Sequence, residues 1–178
     1  MIIFPAVRSE RFNQLKVGEL FIHADGHDER ERFYALKVQA LEKGDDDMMI
    51  PLGPKLPAPL KECFLLQWQA STVLSLGTDF QVVLPSEPST WTTNGPNRDP
   101  ICLAVSNDQV YACANSANNP SMFAPVYANM ETGELCKRLP GTAIFTNGWA
   151  IQVGDAKGLS KILVQYPLKH EKDATAAQ

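Results

Sequence analysis

Short runs of apolar, β-branched and aromatic residues recur along the chain between polar turn residues, and two of them, 33–39 and 64–70, alternate apolar and polar side chains with an imperfect period of two, as short β-strands do. Residues 17–23 and 33–40 are rich in β-branched and aromatic side chains and flank the charged run 24–32, which predicts a hairpin with a long polar loop. Within the second run Tyr34, Leu36 and Val38 fall on one face and Lys37 and Gln39 on the other, as in a half-buried strand. Residues 48–52 read as an edge strand, because proline within a strand is confined to positions that need no N–H donor. Extended character recurs at 80–84, 101–106, 109–114, 122–128, 143–146, 149–153 and 162–166. So many short strands predict a mainly β fold, a partly open β-barrel or a two-layer sandwich of short strands, with at most one or two short helices.

The turns are marked by particular residues. Thr146-Asn147-Gly148-Trp149 carries the strongest signal, since Asn-Gly accepts the positive φ of a type I′ turn and predicts a two-residue hairpin. Asn107-Asp108 and Glu131-Thr132-Gly133-Glu134 predict two further hairpins. Residues 59–76 fit two templates: a proline start and Gly77 at the end suit a helix, whereas Phe64, Leu66, Trp68 and Ala70 keep period two. Ser9 is placed to cap one helical turn over 9–16, with Phe12 and Leu15 facing inward. A short echo links Phe12, Leu15 and Gly18-Glu19-Leu20 to Tyr127, Met130 and Gly133-Glu134-Leu135 at matched offsets, the pattern a duplicated β unit would leave.

Charge changes the picture more than average composition does. The net charge is −4, yet residues 1–62 hold nine Lys/Arg and eleven Asp/Glu, while residues 63–136 hold Arg98 and six carboxylates. Solvated faces normally carry more charge than this, so the middle either forms inner strands or presents a neutral surface to a second copy. The prolines of PLGPKLPAP separate the two regions. The expected organisation is a charged N-terminal β-hairpin subdomain (1–50), a proline-rich connector (51–60), a charge-poor β domain (61–168) and a mobile tail (169–178). The acidic balance disfavours nucleic acid as a partner, and no run approaches the roughly 18 apolar residues of a membrane helix. Met1 to Pro5 lacks the features of a secretory signal, and the four cysteines form neither a dense disulfide framework nor CxxC spacing, so a cytoplasmic location is expected.

Two stretches carry candidate chemistry. His23, Asp25 and His27, with Asp28 as alternate, offer the nitrogen and oxygen ligands a divalent metal takes, although a polar hairpin loop carries such residues in any case. In PSEPSTWTTNGPNRDP, residues 85–100, Trp91 offers a flat amphipathic face, Asn94 hydrogen-bonding groups, and Arg98 the cation suited to an anionic ligand. Asp45-Asp46-Asp47 lacks the alternating oxygen ligands of a calcium loop. Cys136, beside Lys137 and Arg138, is the one thiol whose neighbours would lower its pKa. No nucleophile elbow, phosphate loop or dinucleotide fingerprint occurs. The expectation is a non-catalytic binding or assembly module for a protein or a small polar or anionic ligand; a separate reading is a self-assembling structural protein, a homo-oligomer that uses the charge-poor middle as its subunit interface. No cofactor is expected. The alternative is a metal-dependent enzyme using the 23–28 loop.

Overall fold

The computed structural model describes residues 7–23, 33–39, 48–52, 64–67, 72–87, 91–95, 102–116, 125–154 and 160–166. These form fifteen strands: β1 (Arg8–Arg11), β2 (Leu20–His23), β3 (Phe33–Val38), β4 (Met48–Leu52), β5 (Phe64–Gln67), β6 (Thr72–Gly77), β7 (Gln81–Val83), β8 (Trp91–Thr92), β9 (Leu103–Ser106), β10 (Gln109–Ser116), β11 (Pro125–Asn129), β12 (Leu135–Cys136), β13 (Ile144–Thr146), β14 (Trp149–Gly154) and β15 (Ser160–Tyr166). Among the described residues there is no α-helix, and the one helical element is the 3-10 turn Phe12–Gln14. The fold is mainly β, as expected. The strands do not close into a barrel, so of the two expected architectures the sandwich-like one describes the molecule.

The first sheet runs β1-β6-β2-β3-β4-β5 with antiparallel neighbours. The second is built from β8, β13, β9, β10, β11 and β12, also antiparallel, and joins the first where β10 pairs in parallel with β5 at Asn115↔Phe64 and Ser116↔Leu65. The third is β15-β14-β7. One core lies among all three: Leu20, Leu36 and Ile50 from the first sheet meet Leu103, Ala112 and Ala128 from the second and Trp149 and Ile151 from the third. The opposite faces are covered as well. Phe21, Ala35 and Met49 are buried beneath the 3-10 turn through Phe12 and Leu15, and Ala104, Tyr111, Cys113 and Tyr127 form a third cluster.

Burial on both faces corrects the half-buried reading of β3. Lys37 is only 1% exposed. Its Nζ donates to the carbonyls of Phe12 (3.1 Å) and Leu15 (2.7 Å) and lies 5.0 Å from the centroid of the Phe12 ring. An ammonium is tolerated there because the carbonyls of the 3-10 turn solvate it. Glu19 is likewise buried, accepting from Ser75 Oγ at 3.0 Å and from Arg8 Nη2 at 3.3 Å.

β4 is not an edge strand, since it lies between β3 and β5. Pro51 pairs with Ala35, while the ladder to β5 spans Met48 and Met49, so the proline sits past its end where no donor is required. Pro51 and Leu52 of the expected connector are therefore strand residues, and 53–60 lie outside the described residues. Within the ambiguous 59–76 stretch the described residues are strand, 64–67 as β5 and 72–76 as part of β6, while 59–63 and 68–71 lie outside the described residues. Ser9 is a strand residue paired with Leu74 rather than a cap, whereas Phe12 and Leu15 do face inward.

The expected hairpin at Asn147-Gly148 is absent. β13 pairs with β8 and β9 in the second sheet, and β14 with β7 and β15 in the third. The dipeptide turns a corner between sheets, closed by Thr146 Oγ1, which accepts from Gly148 N–H at 3.1 Å and lies 3.2 Å from Gly148 O. Trp149 is thereby delivered to the core, stacked on Tyr166. The type I′ conformation belongs instead to Asn107 (φ 49°) and Asp108 (φ 60°), between the paired residues Ser106 and Gln109.

Candidate functional site

Three connections meet around a groove of about 370 Å³ lined by Thr78, Phe80, Val82, Asp108, Gln109, Val110, Asn129, Met130 and Glu131. That volume is at the lower end of the roughly 300–1,000 Å³ typical of small-molecule sites. Each wall has a local cause. The β9–β10 turn sets Asp108 at the rim, and Tyr111 Oη donates to Gln109 Oε1 at 2.7 Å, fixing that carboxamide. The turn after β11 is organised by Asn129, whose Oδ1 accepts from the backbone N–H of Glu131 (2.9 Å) and Thr132 (3.1 Å). Met130 N–H donates to Val110 O at 2.9 Å and locks these two walls together. The third wall follows β6, where Phe80 N–H donates to Thr78 O at 3.1 Å before β7 begins.

The floor is apolar: Phe80, Val82 and Val110 pack on the main core and Met130 belongs to it. The rim is polar and acidic. Asp108, Gln109 and Glu131 are exposed, and among the described residues no lining side chain carries a positive charge. Asn129 is 6% exposed, and with its Oδ1 engaged by two donors its carboxamide N–H groups are the hydrogen-bonding capacity it retains.

The Glu131 turn is held from behind by a glycine seam. Gly18 (φ 88°) and Gly133 (φ 72°) lie back to back: a Cβ on Gly133 would stand 2.5 Å from Gly18 N and 2.6 Å from Val17 Cγ1, and one on Gly18 would stand 3.0 Å from Glu131 O. Gln39 N–H adds a bond to Gly133 O at 3.0 Å, tying the first sheet to this turn.

The expected site residues are placed as follows. His23, on β2, is 7% exposed with its ring stacked on Phe33 at 4.8 Å, while Asp25, His27 and Asp28 lie outside the described residues. Among the described residues no three His, Cys, Asp or Glu side chains are grouped as a metal site would need. Trp91 lies on β8 opposite Thr146, and its Nε1–H donates to Pro85 O at 3.1 Å, so part of the 85–100 stretch is strand rather than loop. Asn94 is exposed, and Arg98 lies outside the described residues. Burial pushes the Cys136 thiol up, outweighing the backbone hydrogen bond from Arg138, which acts the other way; the lowering expected from Lys137 and Arg138 is reversed. Burial also raises the phenol of Tyr127, reinforced by Cys113, Cys136 and Cys102.

The groove residues were missed because the sequence marks Asn107-Asp108 and Glu131–Glu134 only as turns. A signal was available: each turn carries a carboxylate and borders a strand that alternates inward apolar residues. No helix among the described residues is long and apolar enough to cross a membrane. Comparison with known protein families, curated proteins and solved structures finds no match.

Proposed function

We propose that the chain is a non-catalytic binding module whose groove takes a small ligand or side chain with an apolar stem and a cationic head. The observation that carries this reading is the pairing of an apolar floor (Phe80, Val82, Val110, Met130) with a rim bearing Asp108 and Glu131 and, among the described residues, no compensating cation. An aliphatic stem gains from leaving water on that floor, and an ammonium at the rim gains charge-assisted hydrogen bonds to the carboxylates. The anionic ligand expected from Arg98 would be repelled at this rim, so the charge preference differs from the one the sequence suggested.

Calorimetric titration with hexylamine and with hexanoate, at low and high salt, tests the reading. The amine is expected to bind and the carboxylate not, with affinity falling as salt rises. The double variant Asp108→Asn, Glu131→Gln should weaken the amine at least about tenfold, a loss of about 1.4 kcal/mol. Equal binding of amine and carboxylate, or an undiminished affinity in the double variant, would overturn it. The metal-dependent alternative is separated by metal analysis of untagged protein, where stoichiometric metal that disappears in His27→Ala would favour it.

A further inference from the structure

We propose that Cys102 and Cys113 form a cross-strand dithiol that closes to an intramolecular disulfide when the protein meets a peroxide. The β9–β10 hairpin pairs Ser106↔Gln109, Val105↔Val110, Ala104↔Tyr111 and Leu103↔Ala112. One step further Cys102 faces Cys113, joined by Cys113 N–H donating to Cys102 O at 2.9 Å. Both side chains lie on the face shared with Ala104, Tyr111 and Tyr127. Directly opposed, hydrogen-bonded residues of an antiparallel pair have Cα atoms about 5.5 Å apart, inside the roughly 4.4–6.8 Å that a disulfide spans.

Closure asks for a local movement of about 1–2 Å, because the Cβ atoms of a hydrogen-bonded pair start near the upper end of about 4.5–5.5 Å and a disulfide wants about 3.5–4.5 Å. Cys102 is placed to make it, since it lies just outside β9, whose first residue is Leu103. A bond closed under such a pull is more easily reduced than a relaxed one, which makes the step reversible by thiols.

The chemistry balances with hydrogen peroxide as oxidant. One thiolate sulfur attacks the peroxide oxygen, the O–O bond breaks, and a sulfenic acid and hydroxide result, the hydroxide becoming water with the proton the thiol released on ionising. The second thiolate attacks the sulfenic sulfur, the S–S bond forms, and hydroxide leaves as a second water after protonation. Two electrons pass from the sulfurs to the peroxide. Cys136 is the internal control. Cys113 pairs with Tyr127 and Tyr127 with Cys136, so Cys136 stands in the same row two strands away, about 9–10 Å at the usual strand spacing and beyond bonding reach.

The test treats folded, reduced full-length protein with hydrogen peroxide, blocks remaining thiols with N-ethylmaleimide, and maps bridges by mass spectrometry after chymotrypsin, which cuts after Leu103 and Tyr111 and so separates the two cysteines. The expected product is a Cys102–Cys113 bridge at least tenfold more abundant than any other pairing. It should persist in Cys136→Ser, be abolished in Cys113→Ser and Cys113→Ala, and lose its preference when oxidation is carried out in denaturant. Oxidation confined to single cysteines, a dominant bridge to Cys63 or Cys136, or the same distribution of bridges in folded and denatured protein would overturn the proposal. The wild-type measurement suffices if a variant fails to fold.

Discussion

Gly18-Glu19-Leu20 and Gly133-Glu134-Leu135 share a tripeptide and a backbone pattern but serve opposite ends of one seam. In the first, Gly18 N–H donates to Lys37 O and Lys37 N–H to Glu19 O; in the second, Gly133 N–H donates to Asn129 O and Asn129 N–H to Glu134 O. Around that common pattern the surroundings diverge. Glu19 is buried in a polar knot with Ser75 and Arg8, whereas Glu134 is exposed and its turn carries Glu131 to the groove rim. The residues before each glycine differ too: Phe12–Gln14 is a 3-10 turn and Pro125–Asn129 a strand. One pattern of backbone bonding is thus used once within the scaffold and once beside the groove rim.

The sharpest way to break the comparison is at the glycines. Gly133→Ala should cost about 3–4 kcal/mol, since it combines positive φ with a Cβ lodged against Gly18 N, Val17 and Lys37 O. Gly18→Ala has the same backbone penalty but a looser contact with Glu131 O, and about 2 kcal/mol is expected. Denaturant melts of both variants check the order, and equal losses would mean that the back-to-back contact is not what distinguishes them.

Next in size is the buried lysine beneath the first segment. Lys37→Met leaves the Phe12 and Leu15 carbonyls without their ammonium donor, a loss of about 2–3 kcal/mol. Neutralising the two glutamates then separates the segments directly. Glu19→Gln should cost about 1 kcal/mol through its contacts to Ser75 and Arg8, and Glu134→Gln less than about 0.5 kcal/mol. Similar costs would show that the burial difference carries no energetic weight.

The smallest effect is in alkali and belongs to the second hairpin, where Tyr127 pairs with Cys136. Both groups are raised by burial above their ordinary values of 10.0 and 9.0. The unfolded chain therefore releases these protons first. Their stabilising contribution is full below the ordinary values and is lost as pH rises through the raised folded ones. Melts above pH 9 should show Tyr127→Phe, Cys136→Ser falling less steeply than wild type, with a residual slope from Tyr34, whose phenol is raised in the same sense.

The sequence made the strands legible because period two survives wherever a side chain alternates between two environments. It misled where both environments are buried: Lys37 reads as solvent-facing only until the carbonyls of the 3-10 turn are seen above it. It misled again at Asn147-Gly148, where local turn chemistry is right for a hairpin but burial of Trp149 in the core carries the chain into another sheet. Asn107-Asp108 kept its hairpin because Leu103 and Ala112 beside it enter the same core. The Cys102–Cys113 pairing was within reach of the sequence, since both residues are equidistant from that turn. Of the groove only the two carboxylate-bearing turns were within reach, because its third wall, Thr78 to Val82, comes from a connection remote in sequence from them.

The most direct measurement of the central claim follows backbone and side-chain amides of the wild-type protein by 15N NMR during titration with hexylamine. Shifts are predicted at the Asn129 carboxamide and at the backbone amides of Asp108, Glu131 and Thr132, with Glu19 and Leu20 unmoved. Shifts centred on the first segment, or none at the Asn129 and Glu131 turn, would contradict the assignment of the groove as the binding site.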